Sequence, residues 1–144
     1  MVNFYNFLTD LCNKSNMRPT IGEISENEYI FDVDSSTVFE FAVIKYLQEK
    51  EEIHLFRIAY VTNPEKTPNE TISKFSMLCL RRNSTVENLN AKITWLARPM
   101  GEGTAFCCHT STSVENFDSE FFKAALASLG KEANEVLTFF DKKN

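Results

Sequence analysis

The chain begins with an apolar pattern that predicts an amphipathic helix. Apolar residues recur at spacings of three and four near the N-terminus, and they are Phe4, Phe7, Leu8, Leu11 and Cys12. Side chains at these spacings share one face of a helix. Pro19 follows in the sequence, and because proline does not continue a helix, we expect the helix to end a few residues before it.

Three further apolar stretches predict strands. Residues 27–34 largely alternate between apolar and polar side chains, which is typical of a half-buried strand. Residues 38–47 also favour a strand. Residues 53–61 are apolar on both faces apart from His54 and Arg57, and this indicates a central strand. Short polar turns separate the three stretches, so we expect an antiparallel meander.

A second helix is predicted to begin near Thr67. Thr67 can cap the helix, Pro68 suits the first helical position, and Glu70 completes a capping box. A second capping-box match begins at Ser84. The sequence therefore fits either one long helix or two shorter helices.

The rest of the pattern predicts a hairpin and a long final helix. Ile93, Trp95 and Ala97 alternate with polar residues, and residues 99–103 supply proline and glycine for a turn before the returning strand. Residues 119–141 carry apolar side chains at alternating spacings of four and three, as in an amphipathic helix. The predicted order is α-β-β-β-α-β-β-α, an α+β fold with an antiparallel twisted sheet flanked by helices.

Length and charge narrow the classes of protein to consider. The 144 residues suit a single domain spanning residues 1–144. The net charge of -5 argues against nucleic acid or an anionic membrane as the main partner. The N-terminus resembles no signal peptide, and no apolar run reaches the roughly 18 residues of a membrane span. We therefore expect a cytoplasmic protein whose four cysteines are reduced.

The aromatic content is the most unusual feature of the composition. Thirteen residues are phenylalanine, and a small domain does not easily bury so many large rings. Phe121 and Phe139 lie off the main apolar stripe of the last helix, and Tyr5, Tyr46 and Tyr60 are amphipathic in the way that interface residues are. We interpret the surplus as typical of a self-associating protein that holds an apolar peptide. An ordinary aromatic-rich core with a few exposed rings remains the alternative.

The candidate chemistry is concentrated around Cys107, Cys108 and His109. Successive side chains of a strand point to opposite faces, so Cys107 and His109 share a face and Cys108 faces away. A zinc site needs three or four converging ligands, and a cysteine nucleophile needs a neighbouring base in a recognisable signature. His54 is the second of two histidines, and neither lies in such a signature. We therefore expect no catalytic residues, no metal and no cofactor.

A family resemblance rests on the stretch from residue 87 to residue 111, which reads ENLNAKITWLARPMGEGTAFCCHTS. A Leu-x-Ala step, here residues 89–91, leads a helix into a strand, and residues 101–103 form a glycine-containing turn. An acidic, amphipathic C-terminal helix follows. With the order of elements, these features resemble the class I type III secretion chaperones, the family of the Tir chaperone. In topology the resemblance spans the chain.

The resemblance implies a cytoplasmic homodimer without catalysis. Each subunit would bind an extended segment near the N-terminus of a secreted effector and keep it stable and export-competent, partly by strand addition to the sheet. The implied effector-binding residues lie on the first helix and first strands, and they are Phe4, Phe7, Tyr29, Phe31 and Phe41. The implied dimer-interface residues lie on the second helix and a nearby strand, and they are Phe75, Leu78, Cys79 and Trp95.

Two alternatives remain open. The YbjN-like domain shares this topology and would imply a non-enzymatic regulatory or binding role. A small-ligand-binding or enzymatic α+β domain would instead require a pocket ringed by polar groups with perturbed pKa values. A deep cavity lined by His54 or His109 would favour this second alternative.

Overall fold

The computed structural model describes residues 3–33 and 41–143, apart from the side chains of residues 142 and 143. The helices in this part of the chain are α1 (Phe4–Lys14), α2 (Asn69–Asn83), α3 (Val86–Ala91) and α4 (Ser119–Lys143). The strands are β1 (Ile21–Ser25), β2 (Glu28–Asp32), β3 (Phe41–Leu47), β4 (Glu52–Val61), β5 (Thr94–Met100) and β6 (Gly103–Ser113). Among these helices, none is both long enough and apolar enough to cross a membrane.

The predicted α+β fold is confirmed, and the predicted elements occur in the predicted order. The structure adds the edge strand β1, which the sequence pattern did not predict. It also shows two helices, α2 and α3, where the sequence left one or two helices open. The first part of the predicted strand over residues 38–47 lies outside the described residues, and β3 is its remainder.

Side-chain caps fix the starts of α1 and α3, whereas the cap predicted from Thr67 does not form and α2 begins at Asn69 without a side-chain cap. The side chain of Asn3 accepts a hydrogen bond from the backbone N–H of Asn6 at 3.0 Å, which caps α1. This helix ends at Lys14, before Pro19 as predicted. The side chain of Thr85 accepts from the backbone N–H of Asn88 at 3.3 Å, and this second cap separates α3 from α2.

All strand pairs are antiparallel, and the sheet has the order β1-β2-β3-β4-β6-β5. The β5–β6 hairpin turns at Gly101, whose φ of 58° is in the left-handed region that favours glycine. A side chain at Gly103 would lie 2.1 Å from the carbonyl oxygen of Thr62, so the close approach of two backbones requires glycine there. Strands β1 and β5 come first and last in the strand order, so they are the edges of the sheet.

The main core lies on the face of the sheet that the helices cover. Its centre is aromatic, since the ring of Phe75 on α2 lies 5.0 to 5.2 Å from the rings of Tyr60, Phe106 and Phe140. Phe31 on β2 lies similarly beneath α4. Many of the phenylalanines are therefore core residues, and only the rings that the fold leaves exposed are available to a partner.

The opposite face of the sheet curls over a smaller apolar cluster. The buried members of this cluster are Val43, Ile58, Ala105 and Cys107. The side chain of Arg98 on β5 donates to that of Glu28 on β2 at 2.7 Å. These strands are four positions apart in the sheet, or about 19 Å if the sheet were flat, which two side chains do not span. Strong twist and coiling must therefore bring them together.

Candidate functional site

The cysteines are placed for packing rather than for reaction. Cys107 lies in the smaller apolar cluster, on the face of the sheet that the helices do not cover. Cys108 lies on the other face, in the main core, as the strand alternation predicted. All four cysteines are free and buried. Burial raises the pKa of Cys107 to about 12 and that of Cys12 to about 11. A reactive cysteine needs a lowered pKa, so these thiols resemble small apolar side chains.

The two histidines contact each other on the face of the sheet that the helices do not cover. Nδ1 of His54 lies 2.7 Å from Nε2 of His109, and Nε2 of His54 lies 3.3 Å from Oε1 of Glu52. Because the two neighbours of His54 approach opposite nitrogens, the three side chains form a chain and do not converge on one point. Within the described residues, no group of three or more His, Cys, Asp and Glu side chains could hold a metal ion.

A buried carboxylate joins α4 to α2, α3 and β5. Glu132 accepts hydrogen bonds from Nε of Arg82 at 2.9 Å, from Nδ2 of Asn88 at 2.7 Å and from Nε1 of Trp95 at 2.7 Å. Burial alone would raise the pKa of Glu132, but these donors outweigh it and hold the pKa below its usual range. Since each donor comes from a different element, the carboxylate fixes how the helices lie against the edge of the sheet.

The clearest exposed aromatic region lies where α1 meets β1 and β2, and we name it the N-terminal surface. Its members are Tyr5, Met17, Ile21 and Tyr29. Tyr5 is 46% exposed, and its ring centroid lies 5.5 Å from that of Tyr29. A groove of about 220 Å³ runs between α1 and the start of β1, lined in part by Tyr5, Met17 and Ile21. This groove adjoins the free edge of the sheet.

The structure places the five implied effector-binding residues in three different settings. Phe4 and Phe31 are buried in the main core. Phe7 and Tyr29 are half-buried, and both rings lie 6.0 Å from that of Phe4. Phe41 is 38% exposed but lies opposite Asp32 on the other face of the sheet. Only Tyr29 therefore belongs to the N-terminal surface, because the ring of Phe7 lies on the other flank of α1, 6.2 Å from that of Phe117.

A second apolar region lies between α2 and the end of α4, and we name it the helical groove. It has a volume of about 430 Å³, and its apolar lining residues are Met77, Leu78, Phe139 and Phe140. Met77 is 52% exposed and Phe139 is 48% exposed. Lys74 and Arg81 also line it. Further along α2 and α3, three more exposed apolar residues are Leu80, Val86 and Leu89.

The implied dimer residues lie mainly beneath this groove. Phe75, Cys79 and Trp95 are buried in the main core, whereas Leu78 is half-buried and lines the groove. Three of the four residues that the resemblance implied for a dimer interface are therefore not accessible in this chain. The sequence analysis did not single out the exposed Met77. The same criterion that singled out Phe139 applies to it, because Met77 is an apolar residue outside the apolar stripe of α2.

Comparisons with known proteins give one informative result. A scan of protein-family models finds no match, and neither does a search of curated proteins. Among solved structures, this chain is similar to a chain of the HopA1-SchA chaperone-effector complex, with a TM-score of 0.58. The match covers 92% of this chain and 91% of that chain at 14% sequence identity. At this identity the likeness concerns the fold alone.

Proposed function

We propose that this chain is a cytoplasmic chaperone that binds the N-terminal region of a type III secreted effector and keeps it stable and export-competent. The observation that carries the proposal is the fold shared with a chain of a chaperone-effector complex over more than nine tenths of both chains. The exposed apolar surfaces and the unreactive thiols support a role in binding rather than in catalysis.

The N-terminal surface is the site that we propose for the effector segment. An extended peptide could place apolar side chains in the groove beside Tyr5 and Ile21 while its backbone pairs with the edge of β1. Four of the five β1 residues are exposed, so the edge is accessible. In this arrangement Tyr29 contacts the peptide, and the buried Phe4 supports its ring from below.

The helical groove is the surface that we propose for a homodimer. A large exposed apolar region is unusual for a monomer and is typical of an interface. Met77, Leu78 and Phe139 would contact the second copy, while the buried Phe75 and Cys79 hold α2 in place. This assignment keeps the helix that the family resemblance implied and changes the face that is used.

Co-expression with candidate effectors tests the proposal. The chain is tagged and co-expressed with secreted proteins encoded beside its gene, and the copurified protein is quantified. The variant Tyr5→Asp places a charge in the N-terminal surface, and we expect it to lose about tenfold or more of the captured effector. Val61→Asp is the matched control, because Val61 is 47% exposed and lies outside both surfaces. Equal capture by the two variants would contradict the proposed site.

A further inference from the structure

The two edge strands of the sheet differ in what their outer backbone groups meet. An edge strand presents unpaired N–H and C=O groups, and these can accept an additional strand from another chain. In this fold the edges are β1 and β5, at opposite ends of the sheet. A partner strand could in principle pair with either edge, so the chemistry of each edge decides where it binds.

A side-chain amide occupies the outer edge of β5. Nδ2 of Asn83 donates to the carbonyl oxygen of Trp95 at 3.0 Å, and Oδ1 of Asn83 accepts from the backbone N–H of Trp95 at 2.5 Å. A single amide therefore satisfies both outward groups of one residue, as a peptide group of a neighbouring strand would. Asn83 is the last residue of α2, so the cap is provided by a helix.

The alternation of the β ladder leaves little else to pair on β5. In an antiparallel ladder the backbone groups of every second residue face the same side. Since the groups of Trp95 face outward, those of Ala97 and Pro99 face outward as well. Pro99 has no N–H to donate. The N–H of Trp95 is already bonded to Asn83. Of these three residues, Ala97 is therefore the one whose outward N–H is left for an incoming strand.

The network around Glu132 holds the cap in position. The indole N–H of Trp95 donates to Glu132, and Asn88 donates both to Glu132 and to the carbonyl oxygen of Arg82, at 3.0 Å in the second case. These contacts join β5 to the end of α2 on which Asn83 lies. The amide of Asn83 is thus positioned by buried polar contacts, which favours a cap that persists in solution.

The edge of β1 has no comparable feature in its sequence. The backbone N–H of Tyr46 donates to the carbonyl oxygen of Asn27 at 2.9 Å, which sets the ladder between β2 and β3. By the alternation of the ladder, the backbone groups of Ile30 face β1, where this residue pairs with Gly22. The backbone N–H and C=O groups of Ile21 and Glu23, on either side of Gly22, therefore face outward. Strand β1 contains no proline.

We propose that Asn83 and Pro99 close the β5 edge and so confine strand addition to β1, which gives each chain one acceptor edge. The inference deepens the proposed function and rests on it only for the identity of the incoming strand. The closure itself is a property of this chain alone and can be tested without a partner.

Hydrogen exchange measures the cap directly. Backbone amide exchange is recorded for the wild-type chain, for Asn83→Ala and for Asn83→Asp, with Asn90→Ala on the exposed side of α3 as the control. We expect Asn83→Ala to accelerate exchange at Trp95 by about tenfold or more, because its N–H loses its partner. Asn83→Asp keeps the acceptor and should leave exchange at Trp95 slow. Slow exchange in Asn83→Ala would overturn the cap.

Reopening the edge tests the confinement. The double variant Asn83→Ala with Pro99→Ala offers outward N–H groups at residues 95, 97 and 99, and we expect it to associate through β5. Light scattering should give a higher mass than for the wild-type chain, and exchange at Ala97 should slow with increasing concentration. If the folded double variant keeps the wild-type mass and fast exchange at Ala97, the proposal is wrong. Neither result depends on whether an effector is ever found.

Discussion

Nδ1 of His54 on β4 lies 2.7 Å from Nε2 of His109 on β6, and the two rings are stacked with centroids 5.0 Å apart. A hydrogen bond between two imidazole nitrogens needs one donor and one acceptor, so at least one ring must be neutral. Glu52 lies at the other nitrogen of His54, and Lys45 lies opposite His54 on β3. The burial of His109 disfavours the charged form of its ring.

This pair predicts that the fold loses stability in mild acid. Burial, with a smaller effect of His54, lowers the pKa of His109 from 6.5 to about 4. Between these values the unfolded chain binds a proton that the folded chain does not, so stability is full above about pH 6.5 and falls as the pH decreases towards about 4. Urea unfolding at several pH values should show the free energy of unfolding decreasing across this window.

The variant His109→Gln is the control for this pH dependence. A glutamine amide can still donate to Nδ1 of His54 but does not titrate. We expect a shallower decrease between about pH 6.5 and pH 5, a range above the ordinary pKa of the carboxylates. Equal slopes for the wild-type chain and the variant would show that His109 is not the group responsible.

Glu132 should be among the residues most important for stability. Replacing it with alanine leaves Arg82, Asn88 and the indole of Trp95 without their shared acceptor, and loss of one partner from a buried ion pair costs about 3–5 kcal/mol. Glu135 also contacts Arg82, at 3.1 Å, but it is exposed. We expect Glu135→Ala to cost less than about 1 kcal/mol. Fluorescence of Trp95, the only tryptophan, reports both unfolding and any change in its environment.

The contact between Glu28 and Arg98 should stabilise the curled sheet. A double-mutant cycle with Glu28→Gln and Arg98→Gln is expected to give a coupling energy of about 1–3 kcal/mol. The pair Asp10 and Lys14 on α1 has a similar distance, 3.0 Å, but both side chains are exposed, and a coupling below about 0.5 kcal/mol is expected there. Equal coupling in the two cycles would mean that the Glu28–Arg98 bond does not form in solution.

The thiols should be protected in the folded state. Burial raises the pKa of Cys79 and Cys107 to about 12, and that of Cys108 is raised as well. Because the thiolate is the reactive form, we expect a thiol reagent at mildly alkaline pH to label the native chain slowly and the urea-unfolded chain at once. Rapid labelling of one native cysteine would identify an accessible, activated thiol and would reopen a catalytic interpretation.

The fold was largely predictable because its main elements have regular apolar periods. The exception is β1, whose sequence IGEIS carries a glycine and two polar residues and is mostly exposed. An edge strand with one neighbour has little apolar surface to bury, so its sequence shows no strong alternation. The break between α2 and α3 was one of two predicted options, and the cap at Thr85 decides it.

The candidate surfaces were harder to predict for a related reason. Periodicity identifies the residues that share a face, and the most regular apolar face is the one that becomes buried. Phe4 and Phe75 belong to such faces and were assigned to interfaces through the family resemblance, but they lie in the core, whereas their neighbours Tyr5 and Met77 are exposed. Asn83 could not have been identified, because its partner is the backbone of a strand twelve residues away.

The measurement that tests the central claim most directly is the mass of a copurified complex by size-exclusion chromatography with light scattering. The chain is co-expressed with secreted proteins encoded beside its gene, and the complex is analysed together with the free chain. We predict a dimer for the free chain and two copies of this chain with one effector in the complex. A monomer that captures no secreted protein would contradict the account.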